Sequence, residues 1–490
     1  MSKKITFLDK SFWITESEAN PKHVAGLQLL EMPEGAPADY VEKLFVELKS
    51  FTKFVSPFNC KAHCVFGFPT KLTTVEQVDM DYHVQMHELD DINNKPEMHK
   101  FIATLHEVWL DRDKPLWQYH LIKDKNNQGF AIYIKVHHMY GDGTTLIRWF
   151  QKGYSEIKGD ENFVPVWAAN LKPKAKASKK VSPFQKRVMG TWEQIVSIKD
   201  LVWILFRLLL KIVRINRAYM PIPFSGTKTV LTGQVTKGRA VSTLDIDFGR
   251  VTALSKRLRA SANEIMLCSF DIGVHRLLKD YGQSLDKALY TNMPINLRKP
   301  GETTSGNKIA IVPVELAHGR KDPYLRLRQI IENHRIIKRT ARVSEPTAFT
   351  YYTMLIQSFS TLFEALHVSD WFRPIGNILI SNMPGPKKIL YFKDAKLLAT
   401  YPISTMTAGG GVNITMVTYN NIAQIGLVCC NRKIDSLEPL AQYIQEAFDM
   451  LEACVDNPLL SVEDIGEVVS ETDKAVVMDD LLELNISRSA

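Results

Sequence analysis

The stretch Phe130-Ala-Ile-Tyr-Ile-Lys-Val-His137-His138-Met139-Tyr140-Gly141-Asp142-Gly143 decides both the fold and the chemistry. Its first seven residues are mostly β-branched, aromatic or apolar, the composition of a strand. Two histidines stand at the strand's end, and Gly141 and Gly143 mark a tight turn. In the TTLIRWFQKGY that follows, Leu146, Ile147, Phe150 and Tyr154 share one helical face. A strand that ends in a turn and a helix presents its last side chains at an open mouth. Histidine there can act as a base near neutral pH, because its unperturbed pKa is about 6.5. A buried histidine bonded to backbone is the commoner fate, so the pair alone does not establish catalysis. Neighbouring strand residues point to opposite faces, so only one of His137 and His138 faces a given cleft, and the two do not readily ligate one metal ion. Asp142, held between two glycines, reads as an anion that locks the turn. No HExxH or HxH string accompanies the pair.

Working outward, WQYHLIKD and GFAIYIKVHH read as two strands joined by a polar turn at Lys125–Gly129. HVAGLQLLEM (23–32) is a further strand, and helices are expected near Tyr40–Lys49 and Glu97–Leu110. Later in the chain, TLDIDF (243–248), KIAIVPVEL, GNILISN, GVNITMVTY and AQIGLVCC read as strands. SANEIMLCSFDIGVHRLLKDY opens with Ser261 and Glu264 at capping-box spacing and is apolar nearly all round, which predicts a buried helix. Another helix is expected at about Leu437–Leu451. No repeat of 20 to 50 residues is visible, which argues against solenoids and propellers.

The 490 residues carry a net charge of +8, but one segment holds it. Between Leu171 and Arg217 twelve basic residues face two acidic ones, so the rest of the chain is slightly acidic. LKPKAKASKKVSP has no hydrophobic period and reads as a linker. From about Thr191, Glu193, Ser197, Asp200, Arg207, Lys211 and Arg214 fall on one helical stripe with apolar residues around the rest. Such a helix either lies in a lipid surface or packs its apolar face on the protein itself. Nucleic acid is a poor partner, since the run lacks interleaved aromatic stackers and any reader motif. From Asp456 the chain is strongly acidic and is expected to form a loosely ordered tail. The hydrophobic share of 45% and charged share of 23% are those of a globular protein. No window offers about 18 uncharged apolar residues in a row. The N-terminus lacks the apolar run of a secretory signal, and the six cysteines form neither a disulfide framework nor paired zinc motifs, so a cytoplasmic setting is expected.

The HHxxxDG string resembles the signature of the CoA-dependent acyltransferases. Other strings extend the likeness to the bacterial wax ester synthase/acyl-CoA:diacylglycerol acyltransferases: PKHVAGL (21–27), DRDKPLW (111–117), MPINLR (293–298) with Gly306-Asn307, SNMPGP (381–386) and GGGVNIT (409–415). Five such strings in order cover nearly the whole chain outside the linker and tail. The family's usual Asn-Asp in the second half is Asn263-Glu264 here, and the cap already accounts for Glu264.

The resemblance implies an α/β (α+β) fold of two chloramphenicol-acetyltransferase-like lobes with mixed sheets, an active-site tunnel at their interface and a basic helical crossover. The lobes are expected at 1–168 and 226–455, the crossover at 169–225 and the tail at 456–490. It implies transfer of a long-chain acyl group from acyl-CoA, as cosubstrate, to a fatty alcohol or diacylglycerol, with no bound cofactor or metal. On that reading His138 is the general base and His137 supports it. Asp142 pairs with Arg298 across the interface, Gly141 and Gly143 form the turn, and Asn263 is the candidate oxyanion donor. Pro115, Leu116, Trp117, Ser381, Asn382, Pro384, Gly385, Gly409, Gly410 and Gly411 are candidates for the channel, with scaffolding as their other reading. The helix at 191–217 would meet a membrane or lipid droplet, which places the protein at the inner face of the membrane or on lipid inclusions. A non-catalytic acyl-CoA or lipid-surface binding protein, and a condensation-domain-like enzyme with another acceptor, are the rival readings.

Overall fold

The computed structural model describes residues 3–5, 7–141, 143–160, 163–169, 183–215, 222–283, 285, 287–296, 309–320, 322–343 and 346–456. The first part of the chain runs β1 (Lys3–Lys4), α1 (Phe7–Ile14), β2 (His23–Glu31), α2 (Tyr40–Ser50), β3 (Cys60–Val65) and β4 (Phe68–Thr74). It continues with α3 (Met80–His83), β5 (Val84–Leu89), α4 (Lys95–Glu107), β6 (Trp117–Asp124), β7 (Gly129–His137) and α5 (Gly143–Lys152). The long α6 (Pro183–Ile212) leads to β8 (Arg239–Asp247), α7 (Phe248–Leu258), α8 (Ala262–Asp280), β9 (Tyr290–Asn296) and β10 (Ile309–Glu315). Then come α9 (Pro323–Val343), α10 (Pro346–Ala365), β11 (Ile378–Pro384), β12 (Tyr391–Phe392) and β13 (Ala395–Ile403). The last elements are β14 (Val412–Tyr419), β15 (Ile422–Cys430) and α11 (Glu438–Asp456). Most of the expected linker and all but the first residue of the expected acidic tail lie outside the described residues.

All nine residues of β7 are buried, between β2 and β6 in a six-stranded mixed sheet ordered β12-β13-β2-β7-β6-β5. A strand covered on both faces needs an unbroken apolar run, and Phe130–Val136 supplies one apart from Lys135. The Lys135 ammonium turns to the end of α4, where it donates to the carbonyls of Leu105 and Val108, both at 2.9 Å. Those carbonyls have no partner within the helix. Burial pulls this ammonium down to about 7.

The second six-stranded sheet is ordered β10-β9-β11-β14-β15-β8 and is also mixed. Its central parallel strands part company. β11 pairs with β9 only through Ile378 and Leu379, whereas all seven of its residues pair with β14. A three-stranded sheet, β1-β4-β3, flanks the first lobe.

The first sheet is completed from far along the chain, because β13 pairs antiparallel with β2 from Leu397–Leu30 to Ile403–Ala25. Where β13 passes β15 the backbones touch. A Cβ on Gly426 would stand 1.9 Å from the Pro402 carbonyl oxygen, so only glycine fits this crossing. The two sheets are thereby joined by backbone as well as by side chains.

Local signals account for the second lobe's buried helix. Ser261 and Glu264 form the reciprocal cap of α8, and thirteen of its nineteen residues are buried. Glu264 does more than cap: its Oε1 also accepts from His334 at 2.8 Å and Lys338 at 3.3 Å on α9. Burial alone would raise this carboxyl, yet the His334 and Ser261 hydrogen bonds and the Lys338 charge hold it well below the usual carboxylate range.

Candidate active site

The two histidines are held by the backbones of two other motifs. His137 N–H donates to the Leu116 carbonyl at 2.9 Å, and His138 N–H donates to the Lys22 carbonyl at 2.8 Å. The PLW string and the PKHVAGL string thus clasp the end of β7 from either side. His138–Tyr140 then forms one turn of 3₁₀ helix. Tyr140 closes the clasp: its hydroxyl accepts from Leu116 N–H at 2.8 Å and donates to the Cys60 carbonyl.

His137 is fully enclosed. Its Nδ1 accepts from the Met139 amide at 3.0 Å, which caps the turn that carries His138. That bond leaves the proton on Nε2, which lies 3.3 Å from Oε1 of Glu16. The Glu16 side chain is 1% exposed; it accepts from Lys22 N–H at 2.9 Å and from Arg112 Nε and Nη2 at 3.2 and 3.0 Å. Burial would raise the Glu16 carboxyl, but the Nε2–H of His137 beside it and the Lys22 amide outweigh it and bring it down to about 2. Arg112 is itself stacked between Trp13 and Trp109, 4.1 and 4.9 Å from the ring centroids. Carboxylate, imidazole and turn form one chain of contacts that fixes the position of His138.

His138 is half-buried, and α1 reaches over it. The Phe12 ring stacks on the imidazole with centroids 4.0 Å apart and planes 13° from parallel. One face of the imidazole is therefore covered while the residue keeps part of its surface open.

Other sequence candidates fall into three groups. Leu116 and Trp117 expose no surface and belong to the first lobe's core, where Trp117 stacks on His83 and Trp167 and donates Nε1–H to the Phe58 carbonyl at 2.8 Å. Pro115 is buried as well. These three support the histidines from behind; the expectation that they line an open channel gives way to their scaffolding reading. Gly143 and the SNMPGP string do meet: a Cβ on Gly143 would lie 2.5 Å from Met383 Sδ, so the start of α5 rests on the end of β11. Beside this contact, Ser381 and Gly385 are half-buried and Asn382 and Pro384 exposed, where β11 has already left β9. Asp142 and Arg298 lie outside the described residues. Gly141 is extended, at φ −179°.

The third group lies on the second lobe. Asn263 is the second residue of α8 and takes no part in the cap; its amide donates to Met293 Sδ on β9 at 3.6 Å. Gly409, Gly410 and Gly411 all have positive φ, and Gly411 N–H donates to the Leu231 carbonyl at 2.8 Å. Gly409 borders a shallow surface depression with Phe224, Phe363, Phe372 and Arg373.

The two lobes are laced together next to the histidines. Glu364 of α10 accepts from Asn20 Nδ2 at 2.7 Å and from Gly409 N–H at 3.1 Å. Lys22 Nζ donates to the Met406 carbonyl at 2.9 Å, and Arg239 Nη2 to the Ala19 carbonyl at 2.7 Å. Burial draws the Lys22 ammonium down to about 8 against the pull of Glu364 and Glu16.

Glu16, Phe12 and Arg112 are the site residues that sequence reading misses. Arg112 stands inside the DRDKPLW string but has no spacing signal of its own, and Glu16 sits in an unpatterned TESEANP.

Comparison with known proteins identifies the family. Residues 5–266 match the wax ester synthase/diacylglycerol acyltransferase catalytic domain, and residues 305–452 the WS/DGAT C-terminal domain. The chain is 26% identical over 456 residues to the O-acyltransferase WSD of Acinetobacter baylyi, covering 91% of this chain and 96% of the relative. It is 25% identical over 450 residues to the probable diacylglycerol O-acyltransferase tgs2 of Mycobacterium tuberculosis, covering 91% and 98%. Among solved structures it is similar to the wax ester synthase/diacylglycerol acyltransferase from Marinobacter aquaeolei VT8, with a TM-score of 0.71, 24% identity and coverage of 92% and 99%. The first condensation domain of the calcium-dependent antibiotic synthetase shares the fold at a TM-score of 0.58 and 12% identity, covering 96% and 99%.

Proposed function

Since this chain belongs to the wax ester synthase/diacylglycerol acyltransferase family and is an acyltransferase, we propose that it moves a long-chain acyl group from acyl-CoA to a fatty alcohol, to diacylglycerol, or to both, by direct attack with His138 as general base. The observation that carries this reading is the fixed and partly open position of His138, with Glu16 and His137 buried behind it. The His138 imidazole takes the proton of the acceptor hydroxyl as its oxygen attacks the thioester carbonyl. A base so placed contributes roughly 10²–10⁴ in rate. The tetrahedral intermediate collapses by breaking the C–S bond, and the imidazolium returns the proton to the CoA sulfur. A thiol of pKa about 8.5 leaves readily.

Asn263 is proposed as the oxyanion donor, because it is free of the cap and stands at the positive end of α8. Asp142 and Arg298 are proposed as the ion pair that holds the turn. The parting of β9 from β11, between Met293 and Met383, is the proposed passage for an alkyl chain. Burial of such chains at about 0.8 kcal/mol per methylene gives affinity with little discrimination between neighbouring lengths.

The same reading sets the enzyme against a lipid surface through α6, which covers 191–212 of the segment expected to meet lipid. Support comes from the way α6 is turned. Leu201, Ile204 and Leu208 pack on the second lobe, and Arg207 and Lys211 are half-buried. Val202, Trp203, Leu205, Phe206, Leu209 and Ile212 are exposed. Apolar side chains turned outward in such number suit an interfacial helix. Among the described residues no helix is long and apolar enough to cross a membrane.

Release of CoA thiol from palmitoyl-CoA with hexadecanol tests the chemistry. The parent chain is expected to turn over and His138→Ala to bind without turnover; a parent chain that binds without turnover would sink the catalytic reading. Offering hexadecanol and diacylglycerol together, with product analysis, sets the acceptor preference. Neutralising the lysines in 172–186 should cut flotation with anionic vesicles, and unchanged flotation removes the lipid role of that segment.

A further inference from the structure

A second feature of the surface, on the other lobe, has the chemistry of a lipid contact. The β3–β4 hairpin ends in Val65, Phe66 and Phe68, which are 46%, 97% and 59% exposed. Its two-residue turn has φ 50° at Phe66 and 80° at Gly67. Positive φ at both central positions matches the strand twist and favours Asn, Asp or Gly at the first of them. A phenylalanine there is strained, because a Cβ in the left-handed region crowds the backbone. The fold therefore holds a large aromatic side chain where it weakens the turn and is almost wholly exposed.

The strands behind the tip carry one sign of charge. From Phe51 to Val75 the chain contains Lys53, Lys61, Lys71 and His63 and no Asp or Glu. The register of β1 adds a lysine opposite Lys71, at Lys4. Aromatic side chains at a tip with cationic shoulders match an anionic lipid surface, in which rings enter the headgroup boundary and ammonium groups meet phosphates.

We propose that the Val65–Phe68 tip inserts into an anionic phospholipid surface and is a second anchor, on the first lobe, independent of α6. This rests on the reading of the chain as an acyltransferase of oily substrates. The tip rests on the helix that covers the site: Trp13 Nε1–H donates to the Gly67 carbonyl at 3.2 Å, and Trp13 follows the Phe12 that lies on His138.

The test is the full-length chain carrying Phe66→Asn and Phe68→Thr. Flotation is measured with phosphatidylcholine vesicles that contain or lack phosphatidylglycerol. Thermal unfolding and turnover of palmitoyl-CoA with hexadecanol in detergent micelles are followed in parallel. Partitioning onto the anionic vesicles is expected to fall on the order of tenfold or more. The melting temperature should hold or rise, since Asn suits the turn better, and micellar turnover should be unchanged. Lys61→Gln with Lys71→Gln should lower flotation at low salt and much less at high salt. Parental flotation of the double phenylalanine variant overturns the proposal. Absence of micellar turnover in the parent chain would instead strike the acyltransferase reading, which flotation does not touch.

Discussion

Phe12 lies flat on the imidazole of His138, 4.0 Å between centroids, although 126 positions separate them in the chain. The stack covers one ring face and fixes the plane in which the imidazole can accept a proton. Aromatic pairs of this kind are worth about 0.5–1.5 kcal/mol, which converts to roughly two- to tenfold in rate if the orientation is needed in the transition state. Phe12→Ala is therefore expected to lower kcat within that range and change KM little, with Phe12→Tyr close to parental. Steady-state CoA release decides it; a change in KM alone would show that Phe12 only lines the entrance.

Glu16→Gln should separate position from chemistry. It keeps the shape but removes the charge that His137 and Arg112 share, so His138 is held less tightly. A loss of roughly ten- to a hundredfold in kcat is expected, as small misplacements of a reacting group cost that much. The same carboxylate has a pH signature. Its folded value of about 2 lies below the ordinary 4.5, so its stabilisation is present above pH 4.5 and is lost as pH falls toward 2. That amounts to on the order of 3 kcal/mol. Acid unfolding followed by circular dichroism should be shallower across that window in the variant than in the parent.

Gly143→Ala should disturb the junction of two motifs. Its new methyl group would enter the space of Met383 Sδ, which lies on a flexible, half-buried side chain that can turn aside, so the expected cost is small, below about 1 kcal/mol. Met383→Ala opens that space, so the double variant should regain stability that the glycine variant loses. Denaturant melts of both singles and the double form the cycle; strictly additive losses would mean that the two side chains do not meet.

Lys22→Met bears on the lacing of the lobes. The Lys22 ammonium is drawn down to about 8 from its ordinary 10.5, so the unfolded chain holds the proton more tightly. The burial cost is then complete below pH 8 and is relieved as pH rises from 8 to 10.5. Methionine removes that cost, on the order of 3 kcal/mol, but also the bond to Met406, worth about 1 kcal/mol. The variant should match or exceed the parent in stability at pH 7 and fall below it near pH 10.5. Melting temperatures at the two pH values check the crossing.

Much of this was legible in residue order. The apolar run of β7, the hairpin with β6 and the capping box of α8 are all local patterns, and each formed where its period placed it. The strings on either side of the histidines were legible as strings, but not as a clasp. PLW stood among the channel candidates because apolar residues beside a motif look alike whether they line a passage or support a strand. The helices α9 and α10 and the pairing of β13 with β2 left no comparable trace. Their faces are decided by partners hundreds of positions away.

The sequence by itself determined the strand that ends at His137 and membership in an acyltransferase family, because these depend on periodicity and residue type within short windows. The tertiary structure alone decided which carboxylate holds His137, which ring covers His138, where β13 crosses Gly426 and which aromatic side chains stay outside. Those contacts are set by the mutual packing of segments distant in the chain, where a difference of a few ångströms decides between a partner and a bystander.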